Sequence, residues 1–285
     1  MQYVIISLAQ TAGVILLAVL GVCLGRWFSR LRSRAWLLGY AVPLLLVGVI
    51  AALLWQPRMQ LLPPFSWIMA DRTEFAATAL IWTTLLTTPL SRLQNRRERR
   101  AVVVFMILCT TWFSIMPFLL PAFLYHHLSG LKTTLNQDGV CIQSTDYNCG
   151  PSAAVTALRK IGIRAEEGEL AVWSHTNYFS GTPTDSLCAA IRKGYAVPCR
   201  TLYFSSVNEL KGKEPLVAVI KFGFLVDHYV AVLSVTDTEV TAGDPLIGWR
   251  TYTHGQFEEV WRKCAIVFEK DPAANSGQKD RLKDR

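Results

Sequence analysis

The sequence predicts a multi-pass α-helical membrane region of about four helices, followed by an α+β domain. Three observations lead there. Of the 285 residues, 51% are hydrophobic and only 18% are charged, whereas a soluble globular chain carries about 25% charged residues. The first 125 residues contain four long apolar stretches. After them, helical periodicity comes first and period-two alternation second, the order of an α+β fold. This composition excludes a disordered polar chain, a collagen and a small disulfide scaffold.

The apolar stretches run over about 3–25, 35–55, 75–91 and 101–125. A bilayer crossing takes about 20 apolar residues. The first, second and fourth stretches meet that length, and the Thr-rich third is short. Pro117 and Pro121 are expected to kink or end the fourth helix. The first stretch has no basic residue before it and no small-residue cleavage site before Arg26, so it reads as an anchor and not as a cleaved signal.

The net charge of +8 lies entirely in this region. Residues 1–125 hold eleven arginines and no lysine, against Asp71, Glu74 and Glu98, while residues 126–285 are balanced. The charge therefore reads as topology signal, and no nucleic-acid partner is expected. Arg26, Arg30, Arg32 and Arg34 fill one loop, and Arg92, Arg96, Arg97, Arg99 and Arg100 fill another. By the positive-inside rule both loops are cytoplasmic. The segment after residue 125 is then extracytoplasmic, in a protein integral to the cell membrane. Both loops are also suited to anionic lipid headgroups. Residues 56–74, with Leu61, Leu62, Phe65 and Trp67, read as a segment lying in the interface.

Residues 126–139 read as a juxtamembrane linker, 140–269 as one domain and 270–285 as a disordered tail. Within the domain, helices are expected after Cys149, over Glu167–Trp173, over Thr184–Lys193 and over Gln256–Trp261. Strands are expected over Leu216–Phe222, His228–Val235, Glu239–Ala242 and Ala265–Phe268.

No phosphate loop, Gly-x-Ser-x-Gly elbow, His-Glu-x-x-His helix or Cys-x-x-Cys pair is present. Neither ATP, a metal nor any other cofactor is expected. The positive signal is Gln143-Ser-Thr-Asp-Tyr-Asn-Cys149-Gly-Pro. It places a cysteine at the mouth of a helix, where the dipole favours thiolate. Gln143, six residues upstream, can present an amide to an oxyanion. A buried structural cysteine fits the same pattern. A thiolate needs a base, and of five histidines only His228 opens a strand. It reads equally as a surface histidine at a strand end. Asp227 points to the opposite face. Asp244 follows the next strand, where antiparallel pairing would return it to His228; as part of Gly243-Asp-Pro245 it also suits a turn.

Together, Gln143…Cys149-Gly-Pro, Gly181-Thr-Pro-Thr-Asp-Ser-Leu187, His228-Tyr-Val and Asp244-Pro245…Gly248 resemble, in order, the bacteriocin-processing cysteine peptidases. These are papain-like domains that remove double-glycine leaders, often at the start of peptide-exporting ABC transporters. The resemblance covers about 140–268. It implies a papain-like cysteine peptidase with Cys149 as nucleophile, His228 as general base, Asp244 as its orienter and Gln143 as oxyanion donor. It implies a peptide or proprotein substrate handled at the lipid bilayer. Two features depart from the exporters: no nucleotide-binding domain is present, so a separate export system is the expected partner, and the charge pattern places the domain outside. A papain-fold amidase or acyl transferase acting on cell-envelope peptides would share Cys149 and His228. A non-catalytic peptide-binding module is the third reading. Cys141, Cys188, Cys199 and Cys264 remain beside Cys149, and Cys188 with Cys199 is the first expected disulfide in an oxidising compartment.

Overall fold

In a computed structural model the chain forms two compact units, Met1–Tyr125 and His126–Arg285. It describes residues 2–55, 73–223 and 226–269. The expected interfacial segment, except for Thr73 and Glu74, and the expected disordered tail lie outside the described residues.

The first unit is helical. Helix α1 spans Gln2–Ser29, a 3-10 helix Ser33–Tyr40, α2 Ala41–Trp55, α3 Thr73–Thr87 and α4 Arg96–Thr110. A π-helical turn, Thr111–Ile115, joins α4 to α5, Met116–Ser129. Among the described residues, three helical stretches are long and apolar enough to cross a membrane: Tyr3–Ser29, Arg34–Ala52 and Arg96–Ser129. The expected third span, 75–91, is shorter than its sequence suggested. The helix ends at Thr87. Thr88 precedes Pro89, and a residue before proline is pushed out of helical geometry. With 15 residues, α3 rises about 22 Å against a hydrocarbon core of about 30 Å.

The threonines that lowered the hydropathy of α3 are its packing surface. Thr83, Thr84 and Thr87 are buried. They face Gly21 and Gly25 of α1, which are four residues apart and so share a helix face. A Cβ on Gly21 would lie 2.0 Å from Thr83 Oγ1, and one on Gly25 would lie 2.7 Å from Thr87 Cβ. Small residues at this spacing let two helices approach closely in lipid. The Thr84 hydroxyl also donates to the Gly21 carbonyl at 3.3 Å.

Pro117 does not end the fourth apolar helix, which continues to Ser129. Proline has no N–H for the carbonyl four residues earlier, that of Phe113. The π turn falls there, and Thr78 Oγ1 sits 3.3 Å from the same carbonyl oxygen. A wider turn plus a neighbouring hydroxyl accommodates the proline.

The second unit is α+β. Strands β1, Thr134–Leu135, and β2, Cys141–Ile142, form an antiparallel pair. Helices α6, Cys149–Lys160, α7, Glu167–Trp173, and α8, Thr184–Tyr195, follow. Then come β3, Cys199–Tyr203, β4, Leu216–Gly223, β5, Val226–Val235, β6, Glu239–Asp244, β7, Gly248–Thr253, helix α9, His254–Val260, and β8, Trp261–Phe268. The six-stranded sheet has the order β3-β8-β4-β5-β6-β7, and every neighbouring pair is antiparallel. One face, with Val217, Val219, Tyr229 and Ala231, packs against the alanine-rich side of α6. The other, with Leu216, Ala218, Val230 and Val232, packs around Phe257 and Trp261. Residues 126–139 are more ordered than a linker: they hold the end of α5 and strand β1. Leu128 is buried, so apolar burial anchors this stretch.

Strands β3 and β7 were not expected. Their sequences, Cys-Arg-Thr-Leu-Tyr and Gly-Trp-Arg-Thr-Tyr-Thr, place polar residues side by side at 200–201 and 250–251, which breaks the alternation, and both strands are sheet edges. The cysteines are free thiols, yet α8 and β3 bring Cys188 and Cys199 to an Sγ–Sγ distance of 2.8 Å. Burial pushes the thiols of Cys141 and Cys264 up to about 12, so both are poor nucleophiles.

The α1–α3 contact makes a testable point. Replacing Gly25 by Leu forces a branched side chain onto Thr87 and is expected to destabilise the unit by about 1–3 kcal/mol. Gly13 lies on the same helix, and a Cβ there would meet nothing within 4 Å, so Gly13→Leu should be neutral. Thermal unfolding of both variants in detergent reads the difference.

Candidate active site

Helix α6 is a helix of small residues. Ala153, Ala154, Val155, Ala157 and Leu158 are fully buried, which lets its axis lie close to the sheet. Its first residue is Cys149, half-buried, and all the following residues to Leu158 are buried. Gly150 is required by space: a Cβ there would approach Thr182 Cβ to 2.9 Å. The N-cap residue Asn148 makes no side-chain cap. The amide end of α6, with its partial positive charge, is therefore not occupied by that side chain beside the Cys149 sulfur.

His228 and Asp244 come from adjacent strands. The β5–β6 register pairs Ala231 with Gly243 and Val232 with Ala242. Asp244 is one step beyond the first pair, diagonal to His228 on the same sheet face. His228 Nε2 lies 2.8 Å from Asp244 Oδ1, and both side chains are about 5% exposed. Asp244 Oδ1 also accepts the Leu246 N–H at 2.9 Å. The Phe222 ring lies 5.5 Å from the imidazole, centroid to centroid. Asp227 pairs instead with Arg262 at 2.7 Å, as strand alternation requires.

The electrostatics favour an imidazolium. Burial alone would lower the His228 pKa, but the hydrogen bond to Asp244, then the hydrogen bond and charge of Cys149, override it and raise it to about 9. Burial works to raise the Asp244 pKa, and the His228 and Leu246 hydrogen bonds outweigh it, so the carboxyl stays below its usual range. Cys149 thus lies near enough to bear on the imidazole electrostatically. Asp244 engages Nε2 of the ring.

Gln143 is brought close by the backbone. Its N–H donates to the Pro245 carbonyl at 2.9 Å, joining the strand before Cys149 to the turn after Asp244. Its side-chain Nε2 donates to the Thr145 carbonyl at 2.8 Å, and Oε1 is buried with no protein partner. One amide N–H is therefore committed to its own loop, and the second is left for a ligand.

The loop between β2 and α6 has an organiser that the sequence did not reveal. Glu167, at the start of α7, is fully buried. Its carboxylate accepts the Ser144 N–H at 2.8 Å, the Ser144 hydroxyl at 2.6 Å, the Ser152 hydroxyl at 3.0 Å and the Asn148 amide at 3.3 Å. Four donors compensate the desolvation of the charge. They also tie both ends of the loop to the first turn of α6. In the sequence, Glu-Gly-Glu has the form of an ordinary acidic helix start. The signal available was the run of serine and asparagine donors at 144, 148 and 152.

A cavity of about 310 Å³ adjoins the His–Asp pair, walled by Phe222, Leu246, Ile247 and Arg250. It is large enough for a substrate side chain.

With this geometry in place, comparisons assign the family. The peptidase C39 family model matches residues 138–273. An uncharacterized protein of Methanothermobacter marburgensis is 30% identical over 141 residues, 50% of this chain and 95% of that protein. One from Methanothermobacter thermautotrophicus is 28% identical over 140 residues, 49% of this chain and 94% of that one. Among solved structures, the peptidase domain of Streptococcus ComA, a bifunctional ABC transporter of quorum sensing, has a TM-score of 0.41 at 20% identity, covering 46% of this chain and 96% of that domain. A double glycine motif protease from an AMS/PCAT transporter, in complex with its leader peptide, has a TM-score of 0.42 at 16% identity, covering 49% and 94%. The α+β unit that carries Cys149, His228 and Asp244 is a peptidase C39 domain, and the chain belongs to that family of cysteine peptidases.

Proposed function

We propose that this protein is a membrane-anchored peptidase that cuts a peptide or proprotein through a Cys149–His228–Asp244 triad. The observation that carries the reading is a buried His228–Asp244 pair whose imidazole is raised in part by Cys149, the one half-buried cysteine of the domain, at an uncapped helix mouth. The Cys149 thiolate attacks the scissile carbonyl carbon. The oxyanion forms beside the N-terminus of α6, where backbone N–H groups and the second Gln143 amide N–H are suited to receive it. The His228 imidazolium gives its proton to the departing amine, leaving a thioester on Cys149. His228, now neutral, takes a proton from water, which releases the acid and restores the thiol. Asp244 holds the ring tautomer and steadies the imidazolium. Double-glycine leader peptides, the class implied by the family resemblance, are the first substrates to assay.

Cys149→Ala and His228→Ala are each expected to lower kcat by about 10⁴-fold or more, with the double variant no worse than either single one. Near-normal turnover without Cys149 would overturn the mechanism. The raised imidazole sets the pH profile: kcat/KM should fall as pH rises through about 9, because the proton donor to the leaving amine is lost. The same shift contributes stability that is full below the ordinary histidine value and fades as pH rises towards about 9. Asp244→Asn removes the partner that raises the imidazole, so the alkaline limb should move to lower pH, with a smaller rate loss than His228→Ala.

Glu167 should act on rate through the loop. Glu167→Gln exchanges a four-donor acceptor for a group that itself donates. The expected outcome is a loss of about 1–3 kcal/mol in stability and a fall in kcat with KM little changed. A rise in KM at unchanged kcat would place Glu167 in substrate binding instead.

We further propose that the helical unit crosses the cell membrane four times, with the short α3 crossing inside the bundle and the peptidase domain outside the cytoplasm. Support comes from the arginines of 26–34 and 92–100 and from the enclosure of α3 by α1, α2 and α4. Single-cysteine variants treated with an impermeant thiol reagent on intact cells test it. Labelling at Ser206→Cys and none at Ser33→Cys is expected; the reverse pattern would put the peptidase in the cytosol.

A further inference from the structure

The helical unit contains a groove that its packing does not fill. Near the end of α1 it forms a cavity of about 560 Å³ bordered by Arg26, Arg30 and Arg99, with Ser29 and Ser91 between them. No carboxylate lines it. Among the described residues, none of the three guanidiniums is in an ion pair. Arg99 spends one N–H on the Leu93 carbonyl at 2.9 Å. Three like charges converging on one cavity repel each other unless an anion joins them.

A second cavity of about 430 Å³ adjoins it, and the two share Val22, Arg26 and Met106. The second lies between α1 and the helix that follows Arg96, and its walls are almost wholly apolar, among them Ile15, Val19, Ile107 and Ile115. The combined shape is a slot with a cationic head and a hydrocarbon body. The head lies where the long helices Tyr3–Ser29 and Arg96–Ser129 have their polar ends, the depth at which lipid headgroups sit.

We infer that this groove binds one anionic glycerophospholipid. The phosphate and anionic headgroup sit among Arg26, Arg30 and Arg99, the hydrogen-bonded Ser29–Ser91 hydroxyl pair has at most one donor left to offer, and one acyl chain lies in the slot. Free phosphate would satisfy the arginines but leaves the apolar slot unexplained. A zwitterionic lipid would fill the slot but leaves net positive charge at the head. The inference rests on the membrane reading of this unit, and it names a ligand for it.

The test is native mass spectrometry of the detergent-purified full chain, titrated with phosphatidylglycerol or phosphatidylethanolamine of equal chain length. One tightly held phosphatidylglycerol is expected, at concentrations at least about tenfold below those needed for phosphatidylethanolamine. Arg26→Gln, Arg30→Gln and Arg99→Gln should each weaken it about fivefold. Arg32→Gln, in the same loop but outside the cavity, should not. Val22→Trp, which fills the junction of the two cavities, should weaken the lipid while the arginines are intact. Equal binding of the two lipids, or equal loss from Arg32→Gln, would overturn the site and leave only general attraction. Displacement of the lipid by millimolar inorganic phosphate would also overturn it, in favour of a free-anion site. A chain that stays soluble and monomeric without detergent would overturn the membrane reading itself, an outcome distinct from the others.

Discussion

The proposed catalytic arrangement depends on one packing constraint: helix α6 must lie close to β4 and β5 for its first residue to come near His228 at the start of β5. Cys149 and His228 are far apart in sequence, and no local interaction joins them. The alanines at 153, 154 and 157 permit the approach. Gly150 permits it at the tip, where Thr182 leaves no room for a Cβ. Each is a position where a larger side chain would lift the helix and separate sulfur from imidazole. Catalytic geometry tolerates little displacement of that kind.

A second constraint sets the end of that helix. The loop before Cys149 is rich in polar groups and runs into a buried region. Glu167 satisfies it with a single carboxylate, and the Gln143–Pro245 backbone bond fastens its start to the Asp244 turn. The site is therefore held by two fixed connections, one to α7 and one to β6. His228 and Asp244 are placed by ordinary sheet pairing. The chemistry then follows from electrostatics. A buried imidazole beside a carboxylate and a sulfur keeps its proton until about pH 9, which is what a proton donor to a leaving amine requires.

The sequence disclosed the parts that depend on local chemistry. A Pro two residues after Cys149 signals a helix start, and the spacing of His228 and Asp244 suits two paired strands, so the helix start at Cys149 and the His228–Asp244 pairing were legible. Glu167 was not, because its role depends on burial and on donors from a distant loop. Gln143 was found as a residue but not as a geometry: its amide turns partly toward Thr145. In the helical unit, hydropathy identified the long helices but not the packing role of the α3 threonines. Threonine scores as polar, yet the buried hydroxyls of α3 serve helix packing and not solvation, as the Thr84–Gly21 bond shows. Edge strands β3 and β7 were missed for the converse reason, since their exposed positions hide the alternation that marks a half-buried strand.

The most direct measurement is the site of covalent trapping. The full chain is treated at neutral pH with a peptide vinyl sulfone and the modified cysteine is located by peptide mapping. The account predicts one thioether, on Cys149, with Cys141, Cys188, Cys199 and Cys264 unmodified, and cleavage lost in step with labelling. Modification centred on another cysteine, or cleavage that persists after Cys149 is fully capped, would contradict it.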